Sequence, residues 1–193
     1  GVGGTALPIV GDVSDADQVA AAVEQTVAKF GGLDIVVNNA SAINLAPMAQ
    51  LDVKRYDLMQ QINSRGTFVL TKAALEHLRA SEHAHVLTLS PPLSADPKWL
   101  KGNAAYTLSK FGMTMLTLGL AADEAENGIG ANCLWPRTII ATAAVQNLLG
   151  GDEAFARART PSVYSDSSFA VLTKPASYTG HSLLCEDVLL ESG

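Results

Sequence analysis

Short apolar runs of strand length alternate with helical periods along this chain, and few folds accept that order. Residues 33–37, 86–89 and 129–135 read as strands, the first too hydrophobic to be an exposed edge. Residues 6–10 read as an earlier strand ending at Asp12, and 181–190 as a closing one. Between them, Ser14 is the expected N-cap, with Asp17 three residues on. Val19, Val23, Val27 and Phe30 then make one apolar stripe, stopped by Gly31-Gly32. A long helix is expected over 52–78, offering Leu58, Met59, Ile62, Val69, Leu75 and Leu78 for packing, and further helices over 104–126, 139–149 and 162–173. Helices threaded between buried strands imply right-handed crossovers. The expectation is one α/β domain over 1–193, a doubly wound parallel sheet with helices on both faces.

Composition narrows the function classes. With 48% hydrophobic and 17% charged residues the chain is ordinary for a globular fold. A net charge of -6 without a long basic run argues against a nucleic-acid partner. No apolar stretch reaches the roughly 18 residues of a membrane span, and nothing at the start reads as a signal peptide. Cys133 and Cys185 fit no metal-ligand spacing and lie in apolar runs, so no metal is expected. Both read as buried, reduced thiols, which points to a cytoplasmic setting.

The densest chemistry is Tyr106-Thr107-Leu108-Ser109-Lys110. Spaced by four, Tyr106 and Lys110 share a helical face one turn apart. A free phenol titrates near ~10 and is a poor base at neutral pH. A neighbouring ammonium stabilises the phenolate, so Tyr106 is expected to carry a lowered pKa and to exchange a proton with a carbonyl oxygen. Such a pair also arises by chance on many helices. Its company matters: Asn38-Asn39-Ala40 leaves a strand at its carboxyl end, where open α/β sheets bind ligands, or it is an Asx turn. Asp12 also sits at a strand end, either as a ligand contact or as a helix-leading turn residue. Asn63 interrupts the apolar face of the long helix with Gly66 just after it, two weak helix formers that invite a functional or kink explanation, the plain alternative being a solvent-facing asparagine. Asn132 and Pro136 close the set at the end of the next strand.

In that order, Asp12, Asn38-Asn39-Ala40, Asn63, Tyr106-x-x-x-Lys110 and Asn132-x-x-x-Pro136 resemble the classical short-chain dehydrogenase/reductase family over nearly the whole chain. Leu89-Ser90-Pro91-Pro92-Leu93, Trp99, Trp135-Pro136 and Tyr178-Thr179-Gly180 resemble its hydroxysteroid dehydrogenase-like branch. The resemblance implies a Rossmann-type fold and an NAD(P)-dependent oxidoreductase. By it, Asp12 contacts adenine and Asn39 stabilises the central strand beside the cofactor ribose. Asn63 anchors a water of a proton relay, and Tyr106 is the acid/base and also contacts the cofactor. Lys110 hydrogen-bonds the nicotinamide ribose and lowers the tyrosine pKa, and Ile139 meets the carboxamide through its backbone. NADP(H) is favoured over NAD(H), and the expected substrate is a small apolar carbonyl or alcohol, with Trp99, Leu100, Trp135 and residues 139–149 lining its pocket. A homo-oligomer built on helices 52–78 and 104–126 is expected by analogy of fold.

The chain departs from the family pattern in three places. Pro91 stands where the family's catalytic serine belongs, leaving Ser90 or Ser94 as candidate substitutes. Arg137 follows Pro136 where the family has glycine, and reads either as a surface residue or as a contact for an anionic substrate or cofactor phosphate. Gly1-Val2-Gly3-Gly4 is not the family's glycine-rich turn, because no strand precedes it, and reads as the tail of a loop. The family's first two strands have no counterpart, so an N-terminal segment is expected upstream. The alternative to an active enzyme is a family-derived binding or scaffold protein that turns over little; an enoyl reductase fits less well because that group spaces its Tyr and Lys further apart.

Overall fold

The computed structural model describes residues 3–148 and 150–193. Among them a four-stranded sheet has the order β1 (Ile35–Asn38), β2 (His85–Thr88), β3 (Gly130–Trp135), β4 (Ser182–Leu184), every neighbouring pair parallel. Parallel neighbours need long crossovers. Here these are α2 (Val53–Gln60) and α3 (Gly66–Arg79) before β2, α4 (Pro97–Leu100) and α5 (Ala104–Asp123) before β3, and α6 (Ala143–Leu148), α7 (Gly151–Arg157) and α8 (Ser162–Leu172) before β4. α1 (Ala16–Phe30) precedes β1, and α9 (Cys185–Ser192) follows β4 directly.

Alternation along the strands divides the core. Val36, Val86 and Ala131 point to one face and pack with Ala74 and Leu78 of α3 and Ala121 of α5. Leu87 and Leu134 point to the other and meet Val171 of α8 with Cys185 and Val188 of α9. Both faces are therefore covered by helices, as a doubly wound α/β fold requires. Cys133 and Cys185 are buried and free. No helix of the described residues is long and apolar enough to cross a membrane.

Several elements differ from their sequence expectation. Residues 6–10 form no strand: a strand needs a ladder partner, none of the described residues supplies one, and Val10 is fully exposed. β1 is an edge strand among the described residues, with Ile35 and Val37 exposed and Val36 and Asn38 buried. Asp15, not Ser14, caps α1, its carboxylate accepting from the N–H groups of Asp17 and Gln18. Phe30 and Leu58 lie exposed, each at the edge of its helix's buried stripe. The helix expected over 139–149 starts only at Ala143, and its last residue, Leu149, lies outside the described residues, as do Gly1 and Val2. Gly150-Gly151 then separates a short helix, α7, that periodicity did not reveal.

The closing strand is mostly a helix. Only Ser182–Leu184 pairs with β3, after which Cys185–Ser192 coils. An apolar run cannot by itself choose between strand and helix. Glu186 and Asp187 tip the balance, since carboxylates in a first helical turn complement the helix dipole.

The long helix keeps its expected span but not its regularity. Asp52 caps it through Lys54 N–H, and the turn Gln61–Arg65 between α2 and α3 is a π-helical bulge centred on Asn63. The weak helix formers Asn63 and Gly66 mark this place in the sequence. At Gly66 a Cβ would lie 3.2 Å from Val13 Cγ2, so glycine lets the chain before α1 approach the helix closely.

Candidate active site

Tyr106 and Lys110 lie in the first half of α5, which packs on β3 and on the π-bulge. Gly112 makes that second contact possible: a Cβ there would sit 2.8 Å from Ser64 Cβ. Close packing brings Asn63 to Ser109. Asn63, fully buried, donates from Nδ2 to Ser109 Oγ at 2.8 Å and to Ala42 O at 2.9 Å, and accepts from Ala42 N–H at 2.7 Å. Ser109 in turn donates to Tyr106 O at 2.7 Å. One amide thus ties together the loop after β1, the bulged helix and the turn of α5 that carries Tyr106. Replacing Asn63 with alanine is expected to cost about 2–3 kcal/mol, because two backbone groups and a hydroxyl lose their partner. A urea-unfolding midpoint indistinguishable from the parent protein's would contradict this clamp.

Lys110 is almost wholly buried, at 3% exposure. Its ammonium donates to Leu89 O at 3.0 Å, just beyond β2, and lies 5.3 Å from the ring centroid of Trp135 at the end of β3. No carboxylate among the described residues pairs with it. Burial lowers its pKa from 10.5 to about 8. Burial also pushes the Tyr106 phenol up to about 12. The lowered phenol pKa expected from an adjacent ammonium is therefore not met in this state: desolvation governs both groups, and the ammonium is committed to a carbonyl and a ring face.

The other sequence candidates fall at different distances from this centre. Asn39 is exposed past β1, its N–H donating to Val37 O. Its neighbour Asn38 instead stabilises the strand, donating to Thr71 Oγ1 at 3.1 Å and Thr88 Oγ1 at 3.2 Å. Asp12 is exposed in the turn before α1. Its Oδ1 accepts from Ser14 N and Oγ, and these bonds hold its carboxyl below the usual range. Ile139 is half exposed and its carbonyl accepts from Arg159 N–H at 2.8 Å. Asn132 secures β3 to the turn before β4, donating to Tyr178 O and accepting from His181 N–H.

Both departures around the site acquire a structural account. Ser90 is completely buried, with Thr114 Oγ1 2.9 Å from its Oγ and 2.8 Å from Pro91 O, so it cannot meet an incoming substrate. Ser94 is partly exposed, its Oγ accepting from Asp96 N–H. Arg137 is a surface residue paired with Asp187 at 2.8 Å. The Glu186 carboxylate accepts from Arg137 N, Thr138 N and Thr138 Oγ1, pinning the loop after β3 to α9. Sequence reasoning did not single out Ser109, Thr114 or Glu186. Ser109 inside the Tyr–Lys motif and Thr114 one turn beyond Lys110 were visible as spacing; Glu186 gave no local signal.

Against known proteins, residues 1–151 match the family model described as short chain dehydrogenase. Human hydroxysteroid dehydrogenase-like protein 2 is 45% identical over 192 residues, covering 100% of this chain and 46% of its own length. The chain thus spans about half the length of the curated relatives it matches. A short chain dehydrogenase of Mycobacterium thermoresistibile is 57% identical with TM-score 0.92, over 99% of this chain and 68% of that one. A Burkholderia cenocepacia gluconate 5-dehydrogenase, solved with NADP and tartrate, is 26% identical with TM-score 0.77, over 91% and 72%. Sheet order, helical layers and these matches agree: the chain belongs to the short-chain dehydrogenase family, in its hydroxysteroid dehydrogenase-like branch.

Proposed function

We propose that this protein is an NAD(P)-dependent oxidoreductase, moving a hydride between nicotinamide and a hydroxyl or carbonyl of an apolar substrate. The observation that carries this reading is a desolvated phenol and a desolvated ammonium one helical turn apart, the ammonium meeting Leu89 O and Trp135 at the carboxyl ends of β2 and β3. A buried cation with no carboxylate partner suits a ribose hydroxyl, which needs a donor and brings no charge of its own. The Oδ2 of Asp12 makes no hydrogen bond among the described residues, and Asn39 is exposed at the carboxyl end of β1; both are available to the nucleotide. At Ile139, whose carbonyl is already used, the N–H is the group on offer.

When bound, the nicotinamide supplies or accepts the hydride. Tyr106, fully protonated at neutral pH, gives its proton to the substrate oxygen during reduction and takes one back during oxidation. Lys110 holds positive charge next to the reacting pair, which favours the phenolate as the proton leaves. Asn63, Ser109 and the π-bulge fix the turn of α5 on which this happens. The family's serine contact to the substrate oxygen falls to Ser94 or goes unmade. NADP(H) is preferred, in line with the NADP-bound relative, and the setting is a reducing cytoplasm. Incubating full-length protein with NADPH or NADH and a panel of ketones and aldehydes tests the reading; no oxidation of either nucleotide with any of them would count against it. The sealed Ser90 and the Pro91 substitution favour one alternative, a scaffold that retains the fold and turns over little.

The assembly proposed with this function is a homo-oligomer. Phe68, Met115 and Leu116 are exposed on the outer faces of α3 and α5, flanking a largely apolar groove of about 420 Å³. Met115→Glu is expected to convert the oligomer to monomer in sedimentation velocity, whereas a monomeric parent protein would exclude this use of the face.

A further inference from the structure

Trp135 is unusual in its position. It ends β3 immediately before Pro136, only partly buried, and its indole lies against the buried Lys110 ammonium at 5.3 Å. The other partner of that ammonium is the neutral carbonyl of Leu89. The titratable groups around this corner are Tyr106 on α5, Cys133 on β3 and Tyr164 on α8, whose hydroxyl donates to Leu134 O. Burial raises all three, so each is uncharged at neutral pH. The residue just beyond β2 faces the corner with Leu89 O, the strand's one ionisable side chain, His85, lying at its opposite end, and the π-bulge faces it with the amide of Asn63.

Among the described residues the ring face is therefore the one electron-rich surface other than a carbonyl that meets this cation. The negative face of an indole attracts an ammonium, and more strongly when water is excluded. We infer that Trp135 is a positioning residue that keeps Lys110 protonated in its buried setting and so sets the alkaline limit of the reaction. This rests on the oxidoreductase reading for its consequence, but the Trp–Lys coupling itself does not. Burial draws Lys110 down to about 8, close enough to neutrality that losing a partner changes its charge under working conditions.

The test is the titration of Lys110 in full-length protein, followed by NMR of isotope-labelled lysine with its resonance assigned by its loss in Lys110→Met. Fluorinated tryptophans weaken the ring's negative face while nearly preserving its shape. Incorporated where Trp99, the other tryptophan of these 193 residues, and any tryptophan outside them are replaced by phenylalanine, they leave Trp135 as the sole site. Progressive fluorination is expected to lower the Lys110 midpoint stepwise. Trp135→Leu should lower it by about one pH unit, a tenfold change in the protonation ratio, and Trp135→Phe by less. The alkaline limb of carbonyl reduction should move down in parallel. A midpoint unmoved across the fluorinated series, in folded protein, overturns the inference even where reduction proceeds. A midpoint that moves in a protein without reductase activity upholds the coupling and removes the oxidoreductase reading instead.

Discussion

Replacing Tyr106 with phenylalanine is expected to cut carbonyl reduction about a thousandfold while leaving fold and nucleotide affinity nearly unchanged. General acid catalysis contributes roughly 10²–10⁴ in rate, and the phenol is the group proposed to deliver the proton. No hydrogen bond to the Tyr106 hydroxyl exists among the described residues, so its removal orphans no partner. The two directions of the reaction should respond differently to pH. With the phenol at about 12 in the unliganded protein, the proton donor for reduction is loaded throughout the neutral range. Oxidation needs the phenolate, so its rate should climb about tenfold per pH unit until Lys110 begins to lose its proton near 8, and Tyr106→Phe should abolish that slope. Steady-state rates in both directions from pH 6 to 10, with thermal melts as the fold control, check this. Turnover within about threefold of the parent protein would end the acid/base assignment.

Lys110→Met is expected to produce a dead enzyme that is more stable than its parent. A lysine drawn from 10.5 to about 8 by burial is being held charged at neutral pH against its environment. At 1.36 kcal/mol per unit, the cost is on the order of 3 kcal/mol. Methionine fills nearly the same volume without that cost, but leaves Leu89 O short of a donor, which returns about 1–2 kcal/mol. The net gain at pH 7 should be about 1–2 kcal/mol. Between pH 8 and 10.5 the unfolded chain binds more protons at this site than the folded one, so the parent protein gains stability as pH rises through that window. The variant's advantage should therefore shrink from pH 8 upward, vanish at about pH 9 and reverse by 10.5, where the neutral lysine still donates to Leu89 O. Urea unfolding at pH 7, 9 and 10.5 measures it, and a variant less stable at pH 7, by the same margin at every pH, would contradict the burial account. Stability surrendered at a charged, desolvated group is a common signature of a functional site.

Much of the site was legible because its signals are local. The spacing of Tyr106 and Lys110 dictates a shared helical face, and the poor helix formers Asn63 and Gly66 announced the irregular turn that became the π-bulge. Strand alternation puts Asn38 inward, bonded to Thr71 and Thr88, and Asn39 outward, a one-residue phase that depends on where the strand pairs. The 6–10 segment was misread for a related reason, since strand propensity without a neighbouring ladder leaves extended chain.

Residue periodicity by itself determined the alternation of strand and helix, the parallel sheet with helices on both faces, and the placement of Tyr106 and Lys110 on one side of α5. These follow from backbone geometry repeated every two or 3.6 residues. Tertiary structure alone decided that Asn63 reaches Ala42 and Ser109, that Thr114 seals Ser90, that Glu186 pins the loop after β3, and that Lys110 meets Leu89 O and Trp135. Each of those contacts joins residues some twenty or more positions apart, and its strength comes from desolvation, a quantity that exists only once the layers have closed around the group.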